Sequence, residues 1–209
     1  MTEIMSDQEL EIVEQTNIAN EPAFEFEREY TYADYLKFQF EEMVEIIRGK
    51  IHRMSPAPRI VHQVISGELE FIIASHLKGK KCKMFHAPVD VVLPIANKKR
   101  NKATTVVQPD IMVICNPFII EEKAIFGVPN LVIEILSFGT APKDRGVKYD
   151  VYEEAGVGEY WIVSPEYETV EVFLLENGKY AKKYVLDKNE KVKPFTLPDL
   201  EIDLKEVFN

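Results

Sequence analysis

Cysteine is almost missing from this chain: Cys82 and Cys115 are the only two in 209 residues. They are too few and too far apart in sequence for a disulfide framework or a cysteine-built zinc site, and Cys115, closing an apolar run, is expected to be a small core residue. Long uncharged apolar runs are also missing, which argues against a transmembrane span, and the acidic N-terminus is unlike a secretory signal. A soluble, cytoplasmic protein is the expectation. Tryptophan occurs once, and no loop is rich in aromatics, so two acids flanking a sugar bond fit this chain poorly. Apolar residues nevertheless make up 46% of the chain, enough for one domain with a sizeable core.

The net charge of −10 is unevenly placed. Residues 1–29 hold nine Asp or Glu and one Arg, a net of −8, which leaves −2 for the rest. With no sustained helical period, this segment is expected to be a disordered or loosely attached tail, and residues 30–209 the folded domain. The body carries basic loops, "KGKKCK" (Lys78 to Lys83) and "NKKRNK" (Asn97 to Lys102). Such loops are usually solvated turns, and they are also able to contact phosphates.

Local patterns set out the elements. Thr31 with Asp34 three residues on starts a helix whose face holds Tyr32, Tyr35, Leu36 and Phe40. "MVEIIRGKIHRM" is two apolar runs around Arg48-Gly49-Lys50, a hairpin signal. Pro56 and Pro58 open a long helix with Val61, Val64, Ile65, Leu69, Ile72 and Ile73 as its buried stripe and His62 as a surface or hydrogen-bonded residue. Strands follow at about Val89–Ile95 and in "VVQPDIMVIC", with Pro109 near the start of the latter. A helix then runs from Pro142 or Lys143 to Ala155, stopped by Gly156. "EYWIV" and the hairpin "TVEVFLL", Asn177-Gly178, "KYAKKYVL" complete a sheet. Helices packed on a mixed sheet give an α/β or α+β domain.

The segment "PNLVIEILS" (Pro129 to Ser137) places one carboxylate among aliphatic residues. It has the pattern of a strand buried on both faces, with Leu131, Ile133 and Ile135 on one and Val132, Glu134 and Leu136 on the other. An unpaired ionised Glu134 there costs several kcal/mol, so it needs a cation, hydrogen bonds or a raised pKa. Asp110 starts the preceding strand, and antiparallel pairing brings both carboxylates to one end. Two facing carboxylates repel, and Mg²⁺ relieves that repulsion while taking further oxygen ligands from a backbone carbonyl, water or phosphate. A lysine is then wanted near the reacting phosphate. Lys143 and Lys148 are the candidates, Lys148 lying beside the Val147, Val151 and Ala155 stripe with Tyr152 one turn on. Gly146 inside this helix costs about 1 kcal/mol against Ala, which points to something packing or binding close by.

"QPDIMVI", "LVIEILS" and "DRGVKYDVYEEAGVGEYWIV", with "EIIRGKIHRMSPAP" before them, resemble the bacterial Uma-type family of restriction endonucleases, a branch of the PD-(D/E)XK nuclease superfamily. The resemblance covers residues 30 to 209. It implies a restriction-endonuclease-like fold, a central mixed sheet flanked by helices, and an enzyme that hydrolyses DNA with Mg²⁺, or Mn²⁺ as a substitute. Asp110 and Glu134 would hold the metal with the carbonyl of Ile135, and the "VEIIRGK" hairpin would add Glu45 in support of the metal or the lysine. The superfamily's usual lysine place is Leu136 here, so Lys148 stands as its substitute. "SFGT" replaces the family's usual Ser-Pro-Ser-Thr. DNA is the implied partner, with a homodimer expected because cutting both strands takes two active sites. The alternative is a nucleic-acid-binding or interaction module on the same fold with weak or no catalysis, favoured by the near-neutral body and by Leu136.

Overall fold

The computed structural model describes residues 28–39, 43–54, 59–137 and 141–209. Phe40, Pro56, Pro58, the Phe138–Thr140 part of "SFGT" and all of the acidic segment before Arg28 lie outside them. In chain order the elements are α1 (Tyr32–Tyr35), β1 (Val44–Ile47), β2 (Lys50–Arg53), α2 (Ile60–Leu77), β3 (Lys83–His86), β4 (Val91–Val92), β5 (Val106–Val107), β6 (Ile111–Ile114), β7 (Ile125–Phe126) and β8 (Leu131–Ile135). They continue with α3 (Ala141–Lys143), a π-helical turn (Asp144–Lys148), α4 (Tyr149–Ala155), β9 (Glu159–Ser164), β10 (Thr169–Glu176), β11 (Lys179–Asp187), β12 (Lys191–Val192), β13 (Ile202–Asp203) and α5 (Leu204–Val207).

Side-chain alternation on β8 sets the layers. Leu131, Ile133 and Ile135 pack with Ile65, Leu69 and Ile73 of α2 in one core, and Val132 packs with Val151 and Tyr152 of α4 in the other. Both faces are therefore covered by helix, as a strand with no polar face except Glu134 requires. The sheet order is β11-β10-β9-β8-β6-β3. Within this sheet β8 and β9 pair in parallel and the other described pairs are antiparallel, because the helical segment 141–155 carries the chain over the sheet between β8 and β9. A second sheet, β2-β1-β5-β4-β7, brings the first hairpin alongside. Both hairpin turns form with two positive-φ residues, Arg48-Gly49 and Asn177-Gly178, matching the right-handed twist of their strands. Thr31 and Asp34 form the expected capping box.

Several expectations are corrected. The first helix ends at Tyr35, so Leu36 is its exposed cap residue. The strand expected over Val89–Ile95 is only Val91–Val92, and a 3₁₀ turn begins at Ile95. On α2, Val61 and Val64 are each 42% exposed, and the buried stripe is His62, Ile65, Ser66, Leu69, Ile73 and Leu77. The inward face of the helix thus meets Asp110, through His62, as well as apolar side chains. A Cβ on Gly146 would meet nothing within 4 Å, so close packing does not explain that glycine.

The cysteines also differ from expectation: Cys82 and Cys115 form a disulfide. The pairing of Lys83 with Ile114 places them at the next cross-strand position, which sequence distance conceals. The bridge ties the edge strand to the strand that follows Asp110. With its ends 33 positions apart in sequence, the loop-closure effect is about 3–4 kcal/mol. Converting both cysteines to alanine is expected to lower the stability by that order in urea unfolding, with reductant then having no further effect.

The helical crossover is fastened to the β10–β11 hairpin by Glu171, which pairs with Arg145 and Lys182. Burial works against ionisation of Glu171, but the two cations outweigh it and hold its carboxyl below the ordinary range. A carboxyl lowered by folding stabilises above its unfolded pKa and loses that contribution as the pH falls through its folded pKa. Glu171→Gln should therefore cost about 1 kcal/mol at pH 7 and nothing in acid below both values, measured by urea unfolding at each pH.

Candidate active site at the ends of β6 and β8

Ile111 pairs with Ile133, and one step along that register sets Asp110 against Glu134. The Ile135 N–H donates to Asp110 Oδ2 at 2.7 Å, so the two strand ends are stitched by the carboxylate itself. Glu134 is buried. Its Oε1 accepts from Lys148 Nζ at 2.9 Å and from the Tyr152 hydroxyl at 2.6 Å. Both donors fall on one oxygen, and no hydrogen bond reaches Oε2 among the described residues.

The π-helical turn explains how a helix lysine arrives there. One residue in excess of the α-helical turn rotates Asp144 and Lys148 inward, and such single-turn insertions cluster at functional sites. Lys148 also lies 3.0 Å from Glu45 Oε1 and 3.7 Å from Asp144 Oδ1. Lys148 and Asp144 stand at i, i+4 on the helix, and both are buried. Glu45, on β1, takes the Gln108 N–H at 3.0 Å and Lys143 Nζ at 2.6 Å. The first hairpin therefore reaches the same cluster as β6, β8 and the crossover. Lys143 keeps 15% of its side chain exposed against 4% for Lys148, which puts Lys143 at the rim and Lys148 inside.

The electrostatics follow from this burial. Desolvation, opposed by Lys148 and reinforced by Asp144, Asp110 and Glu45, pushes the Glu134 carboxyl up to about 8. Burial also disfavours a charged Lys148, but Glu134, Glu45 and Asp144 outweigh it and hold the ammonium well above its usual range. For Glu45, burial is outweighed by Lys148 and Lys143, and its carboxyl lies below the ordinary range. Glu45 is thus the settled ionised partner of the two lysines. Glu134 is the carboxyl whose ionisation costs most, and the one with most to gain from a further cation.

Asp110, Glu134 and the Ile135 carbonyl offer hard oxygen donors at one strand end. Among the described residues no group of three or more His, Cys, Asp and Glu side chains stands ready to hold a metal ion. The donor set is therefore two carboxylates and a carbonyl rather than a closed cage, which matches the sparse protein contribution usual for Mg²⁺. Asp110, Glu134, Ile135, Glu45, Lys143 and Lys148 all belong to this one cluster. Three members escaped the sequence reading. Tyr152 was legible only as the residue one turn beyond Lys148, Asp144 only as the first residue of "DRGVKYDVYEEAGVGEYWIV", and Gln108 only as the first of "QPDIMVI", since its backbone N–H does the work.

A mixed sheet between helices, with an acidic pair at the ends of two central strands and lysines from the crossover, defines a restriction-endonuclease-like fold. The chain belongs to the Uma2 family, described as "Putative restriction endonuclease", whose model matches residues 31–205. It is similar to the crystal structure of a "putative nuclease belonging to DUF820" from Anabaena variabilis, with a TM-score of 0.69 and 23% identity over 86% of this chain and 97% of that one. An uncharacterized protein of Synechocystis sp., slr1290, is 29% identical over 137 residues, 65% of this chain and 67% of its own length. Among the described residues, no helix is long and apolar enough to cross a membrane.

Proposed function

We infer that the chain is a metal-dependent endonuclease that hydrolyses DNA phosphodiester bonds at Asp110 and Glu134. The observation that carries this reading is the placement of Asp110 against Glu134 on paired strands, with Lys148 bonded to Glu134. Membership of the Uma2 family supports the reaction class. Asp110, Glu134 and the Ile135 carbonyl would hold Mg²⁺, or Mn²⁺ in its place. Bound there, the ion supplies polarisation of the phosphate and a lowered pKa for an attacking water.

The chain's own residues prepare that chemistry. Lys148 and Tyr152 fix Glu134 through Oε1 and leave Oε2 without a hydrogen bond among the described residues. Lys148 also favours the ionised form of Glu134, the form able to bind a cation. Glu45 holds both lysines in place from the hairpin. Lys143, at the rim, is the lysine able to meet a non-bridging phosphate oxygen and neutralise charge that develops on it.

A catalytically weak binding module on the same fold is the competing reading, and one observation favours it. Lys148 is already surrounded by three carboxylates, which leaves its ammonium little capacity for a substrate. Supercoiled plasmid incubated with Mg²⁺ or Mn²⁺ separates the two. Metal-dependent nicking that disappears with Asp110→Asn establishes the nuclease. Retardation of DNA with no nicking under any divalent ion favours the module. Cutting of both strands calls for a homodimer, and sedimentation of the protein with a short duplex tests that.

A further inference from the structure

We propose that a cavity beside the acidic pair takes a single unstacked nucleobase bearing an exocyclic amino group, read by Asp90. The proposal rests on the nuclease reading above and names what that site recognises. The cavity has a volume of about 390 Å³, at the lower end of the range for small-molecule sites. Phe85, Val89 and Ile125 give it an apolar wall, and Tyr35, Asp90 and Gln108 a polar one. Both walls are tied to the active site. The Ala87 N–H, just before the lining residue Pro88, donates to the Asp110 carbonyl at 3.0 Å. The Gln108 N–H donates to Glu45 Oε1, also at 3.0 Å. Gln108 stands two residues before Asp110, which puts their Cα atoms at most about 7 Å apart. A base held here belongs to a nucleotide next to the phosphate at Asp110.

On the polar wall every side-chain donor is already used. The Tyr35 hydroxyl donates to Asp90 Oδ1 at 2.8 Å. The Gln108 amide donates to Asp90 Oδ1 at 2.8 Å and to the Tyr35 hydroxyl at 3.2 Å. Turning that amide over would set its oxygen against Asp90 Oδ1, so the network fixes its orientation. What remains are acceptors. Asp90 Oδ2 and Gln108 Oε1 have no hydrogen-bond partner among the described residues, and the half-buried Asp90 has no ion-pair partner among them. A ligand must therefore bring an N–H to this wall. The amino groups of cytosine and adenine do so, whereas thymine places an acceptor, O4, there. Phe85, half-buried on the apolar side, is the aromatic surface on which such a base stacks. At the rim Glu121 is paired with Arg100, and the exposed Lys123 offsets Glu122 beside it. A base is uncharged, so it enters beside Asp90 without the repulsion that a phosphate would meet.

The test uses the full-length protein without divalent ions, so that binding is read apart from cleavage. Fluorescence anisotropy measures its affinity for short single-stranded oligonucleotides of deoxycytidine or of deoxyuridine, in which a carbonyl oxygen replaces the amino group. The wild type should bind the deoxycytidine strand about tenfold more tightly. Asp90→Asn keeps the oxygen that Tyr35 and Gln108 address and puts an amide donor in place of Oδ2, so it should abolish or reverse that preference. Thermal unfolding of both proteins confirms that the fold is retained. An Asp90 that only holds the fold together would change both affinities by the same factor. Equal wild-type affinities, no binding of either strand, or a preference unchanged in Asp90→Asn overturns the proposal. Methylguanidinium bound at the cavity with no base preference assigns it to a cation and overturns the proposal too. None of these outcomes involves nicking, so the plasmid assay decides the nuclease reading independently.

Discussion

Glu134→Gln is expected to abolish metal-dependent cleavage while leaving the protein as stable as the wild type, or more so. The two halves of this result have one cause. Burial pushes the Glu134 carboxyl up to about 8, so the ionised form that a cation needs is the form the fold disfavours. Glutamine keeps the shape, and its carbonyl oxygen still accepts from Lys148 and Tyr152. It removes the charge, and with it the several kcal/mol that a metal ion contributes to the transition state, a loss of at least about 10³-fold in rate. The pH dependence has a fixed sign. A carboxyl whose pKa is raised on folding destabilises the protein as the pH climbs from its unfolded value to its folded one. The melting temperature of Glu134→Gln should therefore match the wild type near pH 4 and exceed it increasingly toward pH 8. Mn²⁺ should close the gap by stabilising only the wild type. A variant that cleaves at even a tenth of the wild-type rate would remove Glu134 from the reaction.

Lys148→Ala is expected to be the most damaging single change to stability. Its ammonium is shared by Glu134, Glu45 and Asp144, all buried. Removing the cation leaves the ionised Glu45 without one of its two counter-ions and raises the Glu134 carboxyl further, and breaking a buried pair from one side costs about 3–5 kcal/mol. For a chain of this size that lowers the melting temperature by about 10 °C or more. Neutralising Glu134 at the same time should recover part of the loss, because the two residues are in direct contact and their effects couple. Differential scanning calorimetry of Lys148→Ala, Glu134→Gln and the double variant measures this directly. A Lys148→Ala protein melting within about 2 °C of the wild type would mean that the buried carboxylates are neutral, and that the lysine is not their counter-ion.

The two expectations show why Glu134 and Lys148 belong together and yet respond differently. Lys148 serves the fold by balancing charge, and Glu45 by itself is an adequate partner for it. Glu134 is tolerated by the fold rather than required by it. Stability sacrificed at one position for chemistry is the usual relation between a site and its scaffold.

Much of this was legible in the sequence, where the signals are local. Alternation in "LVIEIL" reports a strand buried on both faces with one misplaced charge, since successive side chains must point to opposite sides. Thr31 with Asp34, Asn177-Gly178 and Gly156 mark their cap, turn and helix end through backbone geometry alone. The pairing of Asp110 with Glu134 was expected from two successive apolar strands, whose connection permits antiparallel pairing. Other features depend on what stands opposite in space, and no local pattern encodes that. Cys82 and Cys115 meet because β3 pairs with β6, Lys148 turns inward because a π-helical turn interrupts its helix, and Glu45 joins the cluster because a second sheet delivers it. His62 lies on the buried face of α2, where its Nε2 comes within 3.3 Å of Asp110. The sequence by itself determined the elements and the acidic pair, which local sterics and hydrophobic period dictate. Only the tertiary structure decided which charges share a site, because burial and proximity belong to the packed chain and not to any segment of it.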